Sequence, residues 1–181
     1  MKRLPNLLGY ARIVLTPAVM ALVLYWNNEL WVGLLFAVVV ATDGFDGLIA
    51  RATHSVTQFG KMLDTTADKF LIAGMMIALT AKDPIWAWPA FIIIGREFLV
   101  VVLKGKVGDD LPGAFWLGKI KMGFQSVAIY LIINPWPFES ATGWHSPGGV
   151  VMGVAIFFTL LSGLVYFVKY GEYLWPKENL S

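Results

Sequence analysis

Long apolar runs and short polar breaks alternate along this chain. Six runs stand out, roughly Leu7–Trp26, Trp31–Ala50, Gly60–Thr80, Ile85–Leu103, Leu117–Ile133 and Gly148–Val168. Each is near the about 20 residues that an α-helix needs to cross the hydrocarbon core of a bilayer. The runs are continuously apolar and lack the in–out alternation of a barrel strand, so helices are expected. The predicted fold is all-α: a single membrane domain over residues 1–181, built as an integral bundle of six transmembrane helices. The opening segment Lys2–Leu8 has the makeup of a short interfacial helix. Arg12 interrupts the first run early and no small-residue cleavage pattern follows, so this run reads as a retained helix rather than a signal peptide.

The polar breaks carry charge unequally. Lys2, Arg3, Arg51, Lys61, Lys104, Lys106, Lys119, Lys121, Lys169 and Lys177 fall at one set of ends, whereas the other set carries Lys82. The positive-inside rule then puts both termini in the cytoplasm, as an even number of spans requires. Trp26, Trp31, Trp86, Trp88, Trp136 and Trp144 lie near the outer ends, where an interfacial aromatic belt is expected. Composition agrees: 14% of residues are charged, against about 25% in a soluble domain. The net charge of +2 is too small for a nucleic-acid binder, and the absence of cysteine excludes disulfides and thiolate metal sites.

Some charges do not fit the pattern of loops and ends. The second run closes with Asp43 and Asp46, and the third opens with Asp64 and Asp68. Each charge placed in hydrocarbon costs roughly 2.5–3.5 kcal/mol on insertion scales, so four carboxylates need compensation. Spacings of three and four residues put each pair on one helix face. Asp43 is eight residues before Arg51, about 12 Å along a helix, and Asp64 and Asp68 follow Lys61 by three and seven residues. Antiparallel neighbours joined by a short loop bring the pairs together at similar depth. Four adjacent carboxylates repel unless a cation neutralises them, and their hard oxygens suit Mg²⁺, Ca²⁺ or Mn²⁺. Four suffice for two bridged metals. Salt bridges to Arg12, Lys69 and Arg96 are the structural alternative, and a divalent-cation or proton transporter is the other functional one. Gly44, Gly47 and Gly60 weigh against a transporter, because missing side chains beside the acids let a larger ligand approach the backbone.

The segment Asp43-x2-Asp46-Gly47-x2-Ala50-Arg51-x8-Gly60-x3-Asp64-x3-Asp68 carries eight fixed residues over 26 positions. It resembles the signature of the CDP-alcohol phosphotransferase family, whose members are also six-spanning with the motif across spans two and three. That resemblance implies transfer of a phosphatidyl or similar group from a CDP-linked lipid to an alcohol, with release of CMP. It implies that Asp43, Asp46, Asp64 and Asp68 hold two divalent metal ions, Mg²⁺ or Mn²⁺, and that Asp68 is also the general base. By the same carry-over, Asp43, Asp46, Gly47, Ala50, Arg51 and Gly60 form the CDP-lipid pocket. The resemblance further implies a homodimer in the cytoplasmic membrane with its active site facing the cytoplasm. Gly74, Gly153 and Gly163 are candidates for close helix packing, within or between chains.

Pro5-Asn6, Gly95-Arg96-Glu97-Phe98 and Trp116-Leu117-Gly118-Lys119-Ile120-Lys121 look like the branch of that family whose acceptor is sn-glycerol 3-phosphate and whose donor is CDP-diacylglycerol. Gly9 stands where that branch usually has threonine. Charge placement points the same way. Arg12 and Arg96 lie about 8–11 Å from the cytoplasmic ends of their runs, near the depth of the carboxylates, and Lys119 and Lys121 lie at the mouth of the fifth. Arg12, Arg96, Lys119 and Lys121 are therefore the candidates for holding an acceptor that carries its own phosphate. Inositol phosphate or another polar alcohol is the alternative acceptor. Glu97 is expected to point away from Arg96, since adjacent helix positions do not face each other, and to orient a basic side chain.

Overall fold

The computed structural model describes residues 4–26, 28–52, 58–107, 115–135 and 143–170, without the side chains at 4–8, 43–52, 58, 59, 61, 64, 104–107 and 115–117. Among these residues are six α-helices and two short 3₁₀ turns, and no strand. The helices are α1 (Leu4–Tyr25), α2 (Glu29–Ala52), α3 (Gln58–Lys82), α4 (Ala87–Val107), α5 (Phe115–Ile133) and α6 (Pro147–Tyr170). Each apolar run thus became one helix, with ends displaced by a few residues. From Leu4 onward the segment expected as a separate interfacial helix is simply the start of α1. Pro5 is compatible with this, because a proline in the first turn lacks only an N–H that has no intrahelical partner there.

Two stretches, Pro84–Leu103 and Pro147–Tyr170, are long and apolar enough to cross a membrane by length and composition. Gly9–Tyr25 and Glu29–Thr42 are shorter apolar stretches.

Local chemistry sets the turns. Asp83 accepts a hydrogen bond from the Ile85 amide (3.0 Å) and Pro84 follows it, which starts the 3₁₀ turn Pro84–Trp86 that reverses the chain between α3 and α4. This turn swings Trp86 inward. It is 4% exposed, with its ring 5.5 Å from that of Trp144, so it is a core residue rather than a member of the expected belt. Trp26, Trp31 and Trp88 are exposed as expected, and Trp136 lies outside the described residues. Ser146 caps α6: its Oγ accepts from the Gly149 amide (3.0 Å) and donates to the Gly143 carbonyl (2.7 Å), with Pro147 in the first turn. Gly143 has φ +58°, a left-handed conformation that glycine adopts without steric cost.

The helices pack as a closed ring in the order α1–α3–α4–α6–α5–α2, and α3 also touches α5. Inside lie Val19, Phe36, Met75, Met76, Ile93, Ile129 and Met152, all fully or almost fully buried. The outside is apolar too. Val14, Val38, Phe70, Ile77, Phe91, Phe98, Phe157, Leu160 and Leu164 are exposed on α1, α2, α3, α4 and α6. Water-soluble monomers rarely expose contiguous apolar surface beyond a few hundred Å², so this surface is matched to lipid. Gly74 serves packing within the chain: a Cβ there would come within 2.8 Å of Met20 Sδ and Thr16 Cγ2 on α1. A Cβ at Gly153 would meet open space.

Candidate active site

Among the described residues, the charged side chains inside the bundle lie toward one end. Arg12 is in the N-terminal half of α1, Asp68 and Lys69 in that of α3, and Lys121 in that of α5, while Arg96 and Glu97 lie at the midpoint of α4. Neighbouring helices in the sequence run antiparallel, so these halves share an end. Buried charge at membrane depth persists only when it is paired, and the pairing is visible.

The Arg12 guanidinium donates through Nη1 to Asp68 Oδ1, joining α1 to α3. Arg12 is 2% exposed, and the Thr16 hydroxyl one turn on donates to its carbonyl (2.8 Å). The next residue on α3, Lys69, has its Nζ 3.7 Å from Glu97 Oε2. Glu97 Oε1 accepts from Arg96 Nη1 (3.1 Å) and forms an ion pair with Lys121. One carboxylate on α4 therefore gathers cations from α3, α4 and α5. The expectation that Glu97 points away from Arg96 is corrected here. Adjacent positions diverge by about 100° around a helix, but both side chains are long enough to curl back toward a shared partner, Lys121.

Helix α6 contributes by packing. The Arg96 guanidinium carbon lies 5.3 Å from the centre of the buried Tyr166 ring, within cation–π range. Opposite its stem is Gly163, where a Cβ would come within 3.4 Å of Arg96 Cγ. One turn below Lys121, the buried Gln125 Nε2 donates to Thr159 Oγ1 (3.0 Å), and Thr159 Oγ1 donates to the Ala155 carbonyl (2.7 Å). This hydrogen bond ties α5 to α6 beneath the ionic layer.

Of the expected site residues, the structure brings Arg96 and Lys121 together on Glu97, and Arg12 onto Asp68. Lys119 is exposed, two residues and thus about 200° around α5 from the buried Lys121. Asp43, Asp46, Gly47, Ala50 and Arg51 belong to α2 and Asp64 to α3, but their side chains lie outside the described residues. Gly60 is half-buried in the first turn of α3. Among the described residues, no three His, Asp or Glu side chains form a group that would hold a metal. The backbone does bear on the question. Residues 43–46 and 64–68 are helical, so each aspartate pair shares a helix face, and four carboxylates are the donor chemistry that Mg²⁺ and Mn²⁺ take. The residues fit such ions.

Sequence reasoning passed over Lys69, Tyr166, Gln125 and Thr159 as site residues. Lys69 had a signal, a charge inside an apolar run; Tyr166 and Thr159 had none within their run.

Fold and site define a class: an all-helical bundle with a lipid-matched exterior and a layer of paired ionic side chains within it. The profile of the CDP-alcohol phosphatidyltransferase family matches residues 2–161, and the chain belongs to that family. It is 37% identical to a protein of Rickettsia typhi named CDP-diacylglycerol–glycerol-3-phosphate 3-phosphatidyltransferase, over 92% of this chain and 96% of that protein. Proteins of the same name in Bacillus subtilis and Escherichia coli are 36% and 32% identical, over 96% and 90% of this chain and 98% and 92% of theirs.

Proposed function

We propose that the protein transfers the phosphatidyl group of CDP-diacylglycerol to sn-glycerol 3-phosphate, forming phosphatidylglycerophosphate and releasing CMP. The names of its relatives support this reading. The observation that carries it is the set of cations gathered on Glu97 beside the Arg12–Asp68 pair. A neutral alcohol has no use for such cations, whereas a phosphorylated one does.

An acceptor hydroxyl oxygen forms the new bond to the phosphorus that bears diacylglycerol. The anhydride bond to the cytidine phosphate breaks, CMP leaves with the electron pair, and the hydroxyl proton passes to Asp68. Arg12 holds the Asp68 carboxylate in place for that transfer. Arg96, Lys121 and Lys69 hold the acceptor's phosphate, with Lys119 at the mouth of the site. Asp43, Asp46, Asp64 and Asp68 hold two divalent metals, Mg²⁺ or Mn²⁺, which when bound supply charge neutralisation at the diphosphate. Gly47, Ala50, Arg51 and Gly60 complete the CDP-lipid pocket.

In this reading residues 1–181 form one domain with six spans in the cytoplasmic membrane, both termini and the active site on the cytoplasmic side, and two copies pair as a homodimer. The apolar exterior supports the membrane setting. Because the chain has no cysteine, single introduced cysteines at the termini and at Lys82, labelled from either side of sealed vesicles, test the topology directly.

The activity test uses purified protein with CDP-diacylglycerol, Mg²⁺ or Mn²⁺, and a panel of sn-glycerol 3-phosphate, inositol phosphate, glycerol and serine. CMP release that depends on glycerol 3-phosphate is expected. Preference for inositol phosphate reassigns the acceptor, and no CMP with any acceptor refutes the enzyme reading.

A further inference from the structure

The cation cluster contains an acid, and its placement assigns it a task. Glu97 is on α4, and its two oxygens are divided among three helices: Oε1 serves Arg96 of its own helix and Lys121 of α5, and Oε2 faces Lys69 of α3. Lys121 is 3% exposed and the Arg96 side chain 9% exposed. Both are long, flexible cations held away from water at one point, where they repel each other. Left alone, such side chains extend along the apolar surface until the charged head reaches water. A shared carboxylate is what keeps them facing inward.

The balance of charge also matters. Three cations gathered on one carboxylate are donors suited to a phosphate monoester, which carries about −1.5 to −2 at neutral pH; a neutral alcohol offers them no charge. Arg96 adds a second sign of a site prepared for a ligand: among the described residues its buried Nε has no hydrogen-bond partner, while Glu97 and the Tyr166 ring hold the guanidinium on two sides.

We infer that Glu97 is a positioning residue for the acceptor's phosphate, an internal anion that holds Lys69, Arg96 and Lys121 together where the phosphate binds. This rests on the acceptor reading given above and deepens it. It acts through the cations and does not itself touch the reacting atoms.

The test is steady-state CMP release by Glu97→Gln with sn-glycerol 3-phosphate varied at saturating CDP-diacylglycerol. Glutamine keeps the shape but loses the charge, so the cations separate. The expected result is a KM for glycerol 3-phosphate raised about tenfold or more, the scale of one lost charge-assisted hydrogen bond, with the KM for CDP-diacylglycerol unmoved. Glycerol, used as a phosphate-free acceptor at high concentration, is expected to react equally poorly with both proteins. Glu97→Asp, one methylene shorter but still charged, is expected to fall between them, and it carries the test if the glutamine variant does not fold. A general structural role would instead raise both KM values and depress glycerol turnover. An unchanged KM for glycerol 3-phosphate overturns the inference. So does a lowered one, which would make Glu97 a competitor of the phosphate. If the unmodified protein releases no CMP with glycerol 3-phosphate, the acceptor reading itself has failed, whatever Glu97 does.

Discussion

Lys121→Ala removes one of the three cations from the Glu97 cluster and leaves the other two in place. Glu97 still has Arg96 at 3.1 Å and Lys69 at 3.7 Å, so its own charge stays compensated and the bundle is expected to fold. In the proposed reading the lost interaction is a buried, charge-assisted contact to the acceptor's phosphate, worth about 1.5–3 kcal/mol. Each 1.4 kcal/mol is tenfold in affinity, so the KM for glycerol 3-phosphate should rise about 10- to 150-fold. A group that binds the phosphate equally in the ground and transition states changes KM and leaves kcat nearly alone. Steady-state CMP release at saturating CDP-diacylglycerol separates the two constants. Lys121→Met, which fills the volume without the charge, distinguishes electrostatics from packing and should match the alanine variant. A glycerol 3-phosphate KM unchanged in both variants, with the proteins folded, refutes the assignment and leaves Lys121 as a structural partner of Glu97.

Asp68→Asn should lower turnover by about 10²- to 10⁴-fold with a much smaller loss of CDP-lipid binding, measured by equilibrium binding; equal loss of both would make Asp68 a ligand and not a base. Removal of divalent cations by a chelator should abolish CMP release, with Mg²⁺ or Mn²⁺ restoring it, and activity that survives exhaustive chelation would exclude the proposed role of the aspartates. Gly74→Ala should destabilise the bundle by about 1–3 kcal/mol, because its Cβ meets Thr16 and Met20 at 2.8 Å. Gly153→Ala, facing open space, should be neutral or up to about 1 kcal/mol more stable, and thermal unfolding in detergent compares the two.

Much of this was legible in the chain because lipid imposes a simple rule. A stretch of about 20 apolar residues satisfies its own backbone hydrogen bonds as a helix, so six runs gave six helices. The aspartate motif was legible for a related reason, since spacings of three and four mean one helix face wherever the helix lies. What escaped was everything decided between helices. Gln125 and Thr159 are 34 residues apart in sequence, and nothing local pairs them. Tyr166 is one aromatic among many until Arg96 is seen across from it. Glu97 was misjudged because helix geometry places Cβ atoms, whereas the ends of long side chains answer to partners on other helices. Trp86 was drawn into the core by the turn that Asp83 and Pro84 start, a reversal too short to show in an average over apolar content.

The ring order has a consequence for how the chain assembles. Sequence neighbours α2 and α3 flank α1, and α4 and α5 flank α6. The chain thus divides into two three-helix halves. The first unites Arg12 with Asp68, and the second unites Arg96, Glu97 and Lys121 with Tyr166. Lys69–Glu97 joins the two halves across the boundary between them. During synthesis the first half has all its helices before the second begins, but the ionic layer of the second half is complete only when α6 packs between α4 and α5. A ribosome that stops short of α6 therefore leaves Arg96 without its aromatic wall and Gln125 without its hydroxyl.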